Sequence, residues 1–567
     1  MKENIKQTLI ILVAHILAVA FMNALYVTGV NFYGILIHTL LYMCLTYTIM
    51  ILSKKIEMSF IIVNVCEWLF GIISVLKIEM RGQEFVPWDL SLTSSLFELS
   101  GFVQLTSEVI IDIIIQTFFI IAITITQIYV FKEFCELPKK AGKVFLLILS
   151  SVVLILFPLK YKMVDMKYIV PEKKGFENFG PHRGINRFGA FFNFILELGI
   201  TQVNENVNYS DEKVVELSDK YETYDIQCGQ EYDNVIFILL ESFVDFEKIL
   251  NEDLDEDVLA NYHKYSKKYT NNKMNVDVIG GGTANVEYQV MTMHSMDNYP
   301  EGIFPYMHYI KENMDALPMV FKKNGYNTTA IHTYKEGFYN RESVFGLIGF
   351  DKYISDDDFE NPDFYGEYID DMEIYNEIVK LIEKEDKSFI HAITMGTHSP
   401  YYKYSWYDGE DILLEEEFGE YYAAINNYLY CLQRTDEMLG KLIEYVENSE
   451  EKTLLIVYGD HFPLFNGILD DLGIISESDK CIDTEKYPEL YETPYMVVSN
   501  VKEACIENRG SIEPNELGMY VLENVELKKL PWIYKVFYNY FEGKELKENY
   551  EIIQYDQLHG EKFWKEV

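Results

Sequence analysis

Long apolar runs fill the first 160 positions. After about position 231 the pattern becomes short apolar stretches alternating with amphipathic ones. Thr8–Tyr26, Phe32–Leu52, Ser59–Val75, Val109–Val130 and Val144–Leu159 are each 16–22 residues long, close to the ~20 that an α-helix needs to cross hydrocarbon. They predict five membrane-spanning helices. No small-residue cleavage site follows the first run, which therefore reads as an anchor and not as a removed leader. In the second part Asn234–Leu240, Thr328–His332, Phe389–Thr394 and Thr453–Tyr458 read as strands. Met314–Lys323, Glu367–Glu383 and Tyr421–Asn448 read as helices. This alternation predicts an α/β domain with a mostly parallel sheet and helices on both faces. The division is thus 1–160 for the transmembrane region, 161–230 for a linker with an interfacial helix, and 231–567 for a second domain.

Charge sharpens the division. Of 48 Lys/Arg and 89 Asp/Glu, ten and eleven fall within the first 158 positions, leaving 38 against 78 for the remainder. So acidic a domain attracts divalent cations and repels nucleic acid, and no basic patch or nucleic-acid motif offsets this. The basic residues also orient the helices. An N-terminus inside the cell puts Lys2 and Lys6, Lys54 and Lys55, and the Lys132–Lys143 group on the inner side. Five crossings then place everything after about position 160 outside. Glu67 and Asp112 lie within apolar runs and read either as contacts to a lipid head group or as helix–helix hydrogen bonds. Arg81–Phe97 suits an interfacial loop, and Arg183 and Arg187 in the linker suit anionic lipid at the outer surface. Ala190 is the only alanine between 160 and 230, so no A-x-A processing site lies there and the domain is expected to stay tethered. The seven cysteines include no C-x-x-C pair, which argues against a cysteine zinc site.

Four stretches carry candidate chemistry. Ligands of parallel sheets sit beyond the carboxyl ends of strands. Glu241 directly follows the strand Asn234–Leu240, and Asp460 and His461 follow Thr453–Tyr458 after one glycine. Gly280-Gly281-Gly282 precedes Thr283 and a helical run, which sets Thr283 at a helix N-terminus, where an anion is favoured. Taken singly, these residues also suit a capping Glu, a turn and an ordinary N-cap. Jointly they offer three oxygen ligands and an imidazole, a set suited to Mn²⁺, Mg²⁺ or Zn²⁺. A metal on the Thr283 oxygen would make a weak alcohol nucleophilic. His332 and His391, in or at the ends of apolar strands, read as structural. His294, about three turns beyond Thr283, reads as too distant to share the metal. Asp356-Asp357-Asp358 lacks the D-x-D-x-D-G spacing of a calcium loop.

The stretches NVIFILLES, GGGTANVEY, FYNRESVFGLIGFDKY, THSPY and YGDHFP, with the tail Gln554–Phe563, resemble the lipoteichoic acid synthase family. Its members are membrane phosphoglycerol transferases with a five-helix front end and an extracellular sulfatase-like, alkaline-phosphatase-type domain. The resemblance implies a single divalent ion, Mn²⁺ before Mg²⁺ or Zn²⁺, held by Glu241, Thr283, Asp460 and His461. It implies Thr283 as nucleophile, with Arg341, His398 and Tyr339 binding substrate. It implies phosphatidylglycerol as donor, a glycolipid or polyglycerolphosphate as acceptor, and the cell membrane of a Gram-positive bacterium as location. Tyr339 stands where some members carry Trp, and Thr397 where some carry Asn, which bears on head-group recognition. The Cys/Ser-x-Pro-x-Arg signature of formylglycine sulfatases is absent. A phosphoethanolamine transferase, a metal-dependent phosphodiesterase and an inactive membrane scaffold are the alternatives. For the topology, a reporter fused after Leu250 is expected to be active outside the cell; activity only in the cytoplasm would overturn the five-crossing arrangement.

Overall fold

The structure is a computed structural model. It describes residues 2–26, 32–81, 85–90, 107–134, 140–161, 189–197, 208–250 and 257–560, excepting some short stretches and most of 402–420 and 464–485. The chain forms two compact units, one built on Met1–Gln202 and the other on Val203–Asp479 with Thr484–Val567. Arg183 and Arg187, and the side chain of Asp112, lie outside the described residues.

In the first unit the apolar runs form helices α1 (Lys2–Tyr26), α2 (Phe32–Ser53), α3 (Ile56–Arg81), α4 (Ser107–Phe134) and α5 (Lys140–Tyr161), followed by the short α6 (Ala190–Glu197). Among the described residues, three helical stretches are long and apolar enough to cross a membrane: Ile35–Ser53, Ile56–Ser74 and Ile113–Glu133. Leu9–Met22 and Gly142–Leu154 are shorter apolar stretches. Val19, Tyr42, Phe60, Val63 and Phe131 pack together inside, while Ile114, Phe118 and Ile125 on α4 point outward. Several polar groups inside the bundle are paired, as an apolar setting favours. The Tyr42 hydroxyl donates to Asn64 Oδ1 (2.5 Å), and Asn64 Nδ2 donates to Gln127 Oε1 (2.8 Å). Glu67 meets His38 Nε2 at 2.9 Å, both buried, so this carboxylate makes a helix–helix bond between α3 and α2. Gly189, just before α6, lies against the His38 ring; a Cβ there would come within 2.2 Å of Cε1.

The second unit is built on a seven-stranded sheet. Its strands are β1 (Asn234–Leu240), β2 (Thr270–Asn275), β3 (Asn327–His332), β4 (Lys352–Ile354), β7 (Ser388–Ile393), β8 (Thr453–Gly459) and β9 (Glu492–Ser499); β5 (Phe364–Tyr365) and β6 (Tyr368–Ile369) form a separate ribbon. The order is β2-β9-β8-β1-β7-β3-β4. The five strands from β8 to β4 run parallel, and β9 pairs antiparallel with both β8 and β2. β1 is central because all seven of its residues are buried, which only a strand covered on both faces permits. Leu317–Lys323 packs on β3, Met372–Ile382 on β7, and the long helix Tyr422–Asn448 on β8 and β9. The register pairs Leu240 with Gly459, so Glu241 and Asp460 leave the same sheet edge side by side. Residues 208–224, assigned to the linker on sequence, include the helix Asp211–Tyr221. It packs on the C-terminal helices, with Tyr209 donating to Asp556 (2.6 Å) and Tyr221 to Glu545 (2.6 Å).

Candidate metal and phosphate site

Thr283 is placed by its glycines. Gly280, Gly281 and Gly282 have φ of 64°, 147° and 96°, a run of left-handed backbone that side chains resist. Gly280 N–H donates to Phe462 O (2.9 Å), tying this turn to the segment after β8. The helix α7 (Thr283–Thr292) then begins with Gly282 as its N-cap, and all ten of its residues are buried. The Thr283 hydroxyl does not cap its own helix. It donates to Glu241 Oε2 at 3.0 Å and lies 3.4 Å from His461 Nε2.

Glu241, Asp460 and His461 close around it. Ser242 N–H and His461 N–H both donate to Asp460 Oδ1 (2.8 Å each), and Ser242 Oγ donates to Glu241 Oε1 (3.0 Å). His461 Nδ1 lies 3.1 Å from Phe462 O. A proton there donates to the carbonyl and leaves the Nε2 lone pair facing inward. Nε2 is then 3.2 Å from Asp460 Oδ2, a buried oxygen without a hydrogen-bond donor, and 3.6 Å from Glu241 Oε1. Lone pairs converging in a buried space call for a cation. Burial, and then the Glu241 charge, push the Asp460 carboxyl up to about 7. Two carboxylates and an imidazole, with ligand atoms within 4.8 Å of one another, therefore fit a divalent ion with N/O preference. A second carboxylate–histidine group, around Asp257 and His263, differs. Both ring nitrogens of His263 donate, Nε2 to Asp245 Oδ2 (3.1 Å) and Nδ1 to Asp257 Oδ1 (2.9 Å), and the pairing raises it to about 9, a closed imidazolium clasp.

Arg341 is joined to the helix of Thr283 through Glu287, the acidic residue of the GGGTANVEY stretch. Glu287 lies one turn beyond Thr283 on α7, and its Oε2 accepts from Arg341 Nε (3.0 Å) and Nη2 (2.9 Å). Both side chains are fully buried. Burial opposes the arginine's charge and Glu287 more than offsets it, so Arg341 stays protonated. The preceding Tyr339 and Asn340 have φ of 57° and 65°, a left-handed pair that non-glycine residues adopt only when their surroundings hold them. Tyr339 is buried against Phe304 and Phe338, its ring 5.3 Å from the guanidinium. The spacing of four between Thr283 and Glu287 was readable as one helix face; its arginine partner, 54 positions on, was not.

His398 ends a turn after β7, its N–H donating to Met395 O (3.0 Å) and its Nδ1 lying 3.3 Å from Tyr368 Oη. It is half-buried. His332 ends β3 at the same sheet edge, in register with Ile393. Burial, and then the Arg341 charge, hold it neutral. His391 is buried mid-strand, and His294 is bonded to Tyr288 (2.7 Å) and Gln557 (2.7 Å), both away from the Thr283 cluster. Cys44, Cys66 and Cys431 are free thiols.

A mostly parallel sheet with a buried Glu–Asp–His–Thr cluster at its carboxyl edge makes the second unit an α/β domain built around a strand-end site. The chain belongs to the sulfatase family, whose sequence profile matches residues 233–519, just over half of it. It is 26% identical over 337 residues to a Rhizobium meliloti (strain 1021) protein named for cyclic beta-1,2-glucan modification, covering 58% of this chain and 52% of that one. It is 22% identical over 358 residues to the lipoteichoic acid synthase of Staphylococcus saprophyticus, covering 58% and 52%. The chain thus spans about half the length of the curated relatives it matches. Among solved structures, the Streptococcus pyogenes phosphoglycerol transferase GacH, in complex with sn-glycerol-1-phosphate, superposes with a TM-score of 0.54 at 23% identity, covering 64% of this chain and 97% of that one. At that identity the likeness is one of fold.

Two outcomes are expected. Glu287→Ala leaves the Arg341 charge buried and alone, which costs about 3–5 kcal/mol; denaturation midpoints of the full chain in detergent read this loss. Added Mn²⁺ raises the melting temperature more at pH 8 than at pH 5. A carboxyl raised to about 7 in the fold but not in the unfolded chain opposes folding increasingly as pH climbs toward 7, and a bound cation removes that opposition.

Proposed function

We propose that this chain is a membrane-anchored transferase that moves glycerol phosphate from phosphatidylglycerol, through a threonine-linked intermediate, to a hydroxyl of a glycolipid or polyglycerolphosphate acceptor. The observation that carries this reading is the Thr283 hydroxyl, aimed at Glu241 and His461 and sharing a helix with the carboxylate that holds Arg341. Relatives named lipoteichoic acid synthase support the donor and acceptor, and the relative named for glucan modification supports a carbohydrate hydroxyl among the acceptors.

Residues 1–160 would anchor the chain with five helices, 161–230 connect, and 231–567 carry the reaction on the outer side of a Gram-positive cell membrane. Anchoring keeps the site beside its lipid donor and raises the effective concentration. Glu241, Asp460, His461 and the Thr283 oxygen would hold one divalent ion, Mn²⁺ by preference. When bound, it supplies a lowered hydroxyl pKa and offsets charge on the phosphoryl oxygens. Thr283 Oγ1 attacks phosphorus while Glu241 takes its proton, and the P–O bond to diacylglycerol breaks. His398 gives the leaving alkoxide a proton. In the second half His398 takes the proton of the acceptor hydroxyl, whose oxygen attacks phosphorus. The bond to Thr283 then breaks, and its oxygen recovers the proton from Glu241. Arg341 and the N-terminal N–H groups of α7 steady the phosphoryl charge throughout. Tyr339 supports the guanidinium from one face.

The test is intact mass of the full chain in phosphatidylglycerol vesicles with Mn²⁺, with Thr283→Ala alongside. Wild type is expected to gain one glycerol phosphate and release diacylglycerol. Thr283→Ala is expected to show no adduct and roughly 10³-fold or greater loss of release while folding and inserting normally. Undiminished release by Thr283→Ala would overturn the reading, and free glycerol phosphate without an adduct would favour a phosphodiesterase.

A further inference from the structure

Asp371 stands at the N-cap of the helix Met372–Ile382, where an aspartate ordinarily turns its carboxylate onto its own helix. Here it makes no such bond. Its Oδ1 accepts instead from the N–H groups of Met395 (3.2 Å) and Gly396 (3.1 Å), in the turn between β7 and His398. Its Oδ2 accepts from Thr435 Oγ1 (2.7 Å), a buried hydroxyl on the helix Tyr422–Asn448. Gly396 is required at this approach, because a Cβ would stand 2.7 Å from Asp371 Oδ2.

The turn so held grips Glu241 from both sides. Glu241 N–H donates to Thr394 Oγ1 (2.8 Å), and Thr397 Oγ1 donates to the Glu241 carbonyl. The two amides on Asp371 lie between these two threonines in sequence. The next residue after Thr397 is His398, whose N–H closes the turn on Met395 O. One buried carboxylate therefore sets the backbone that fixes Glu241 and launches His398.

We propose that Asp371 is a positioning residue for the transfer, holding Glu241 and His398 in one frame through the 394–398 turn. This rests on the reading of Glu241 and His398 given above. Asp371 acts through the turn, its carboxylate bonded to the Met395 and Gly396 amides and the Thr435 hydroxyl.

The experiment uses the full chain in phosphatidylglycerol nanodiscs and compares wild type, Asp371→Ala, Asp371→Asn and Ile382→Ala. The last removes a buried side chain from the same helix without touching the turn. Three readouts are taken: Mn²⁺ affinity by calorimetry, diacylglycerol release, and amide hydrogen exchange over 394–398. Asp371→Ala is expected to weaken Mn²⁺ binding about 10–100-fold, the usual effect of losing a partner behind a metal ligand. It is also expected to lower release and speed exchange in the turn. Asp371→Asn keeps an oxygen for the two amides and is expected to recover most of all three. Ile382→Ala is expected to lower stability while leaving Mn²⁺ affinity and turn exchange near wild type. Wild-type affinity and exchange in Asp371→Ala, or equal losses in Ile382→Ala, would overturn the proposal. If wild type releases no diacylglycerol, the transferase reading falls, and exchange over 394–398 still decides whether Asp371 holds the turn.

Discussion

Two carboxylates and an imidazole share a buried space a few ångströms across, and the rest of the second unit is arranged to keep them there. Glu241 and Asp460 would separate if free to do so, since burial and then the Glu241 charge make ionisation of Asp460 harder. They are held by a strand pairing that neither side chain can alter: β1 and β8 run parallel with Leu240 beside Gly459. Ser242 and His461 amides then fix Asp460 from its own and its neighbour's backbone. Electrostatic tension of this kind is what makes a site receptive to a cation, and only a well-packed sheet can sustain it.

The helix α7 extends that logic. Its first residue meets the cluster, and its fifth, Glu287, holds Arg341. A helical turn is a rigid spacer of about 5.4 Å. The hydroxyl and the carboxylate that anchors the guanidinium therefore keep a constant offset whatever the surrounding loops do.

Much of this was legible in the chain. β1 and β8 are near-continuous apolar runs, and the residues following them were readable as strand-end groups at one edge. β2 and β9 were not readable. β2 is the polar run TNNKMN on the sheet's edge, and β9 carries Pro494 and an acidic start that mask its apolar second half. β4 is only three residues long. Within the site, Thr283, Glu241, Asp460 and His461 stood out because each is adjacent to a local signal: a glycine run or a strand end. Glu287 and Asp371 did not, because their meaning lies in partners 54 and 64 positions away along the chain. The carboxylate Glu67 was readable as either a lipid contact or an interhelical bond; its bond to His38 selects the second.

Every side chain of α7 is buried, so the hydroxyl at its start is carried by a helix that packing holds on all sides. The consequence is one of access: whatever meets that oxygen has to come to it, because the helix that bears it is wedged in place and does not lean out to meet a partner.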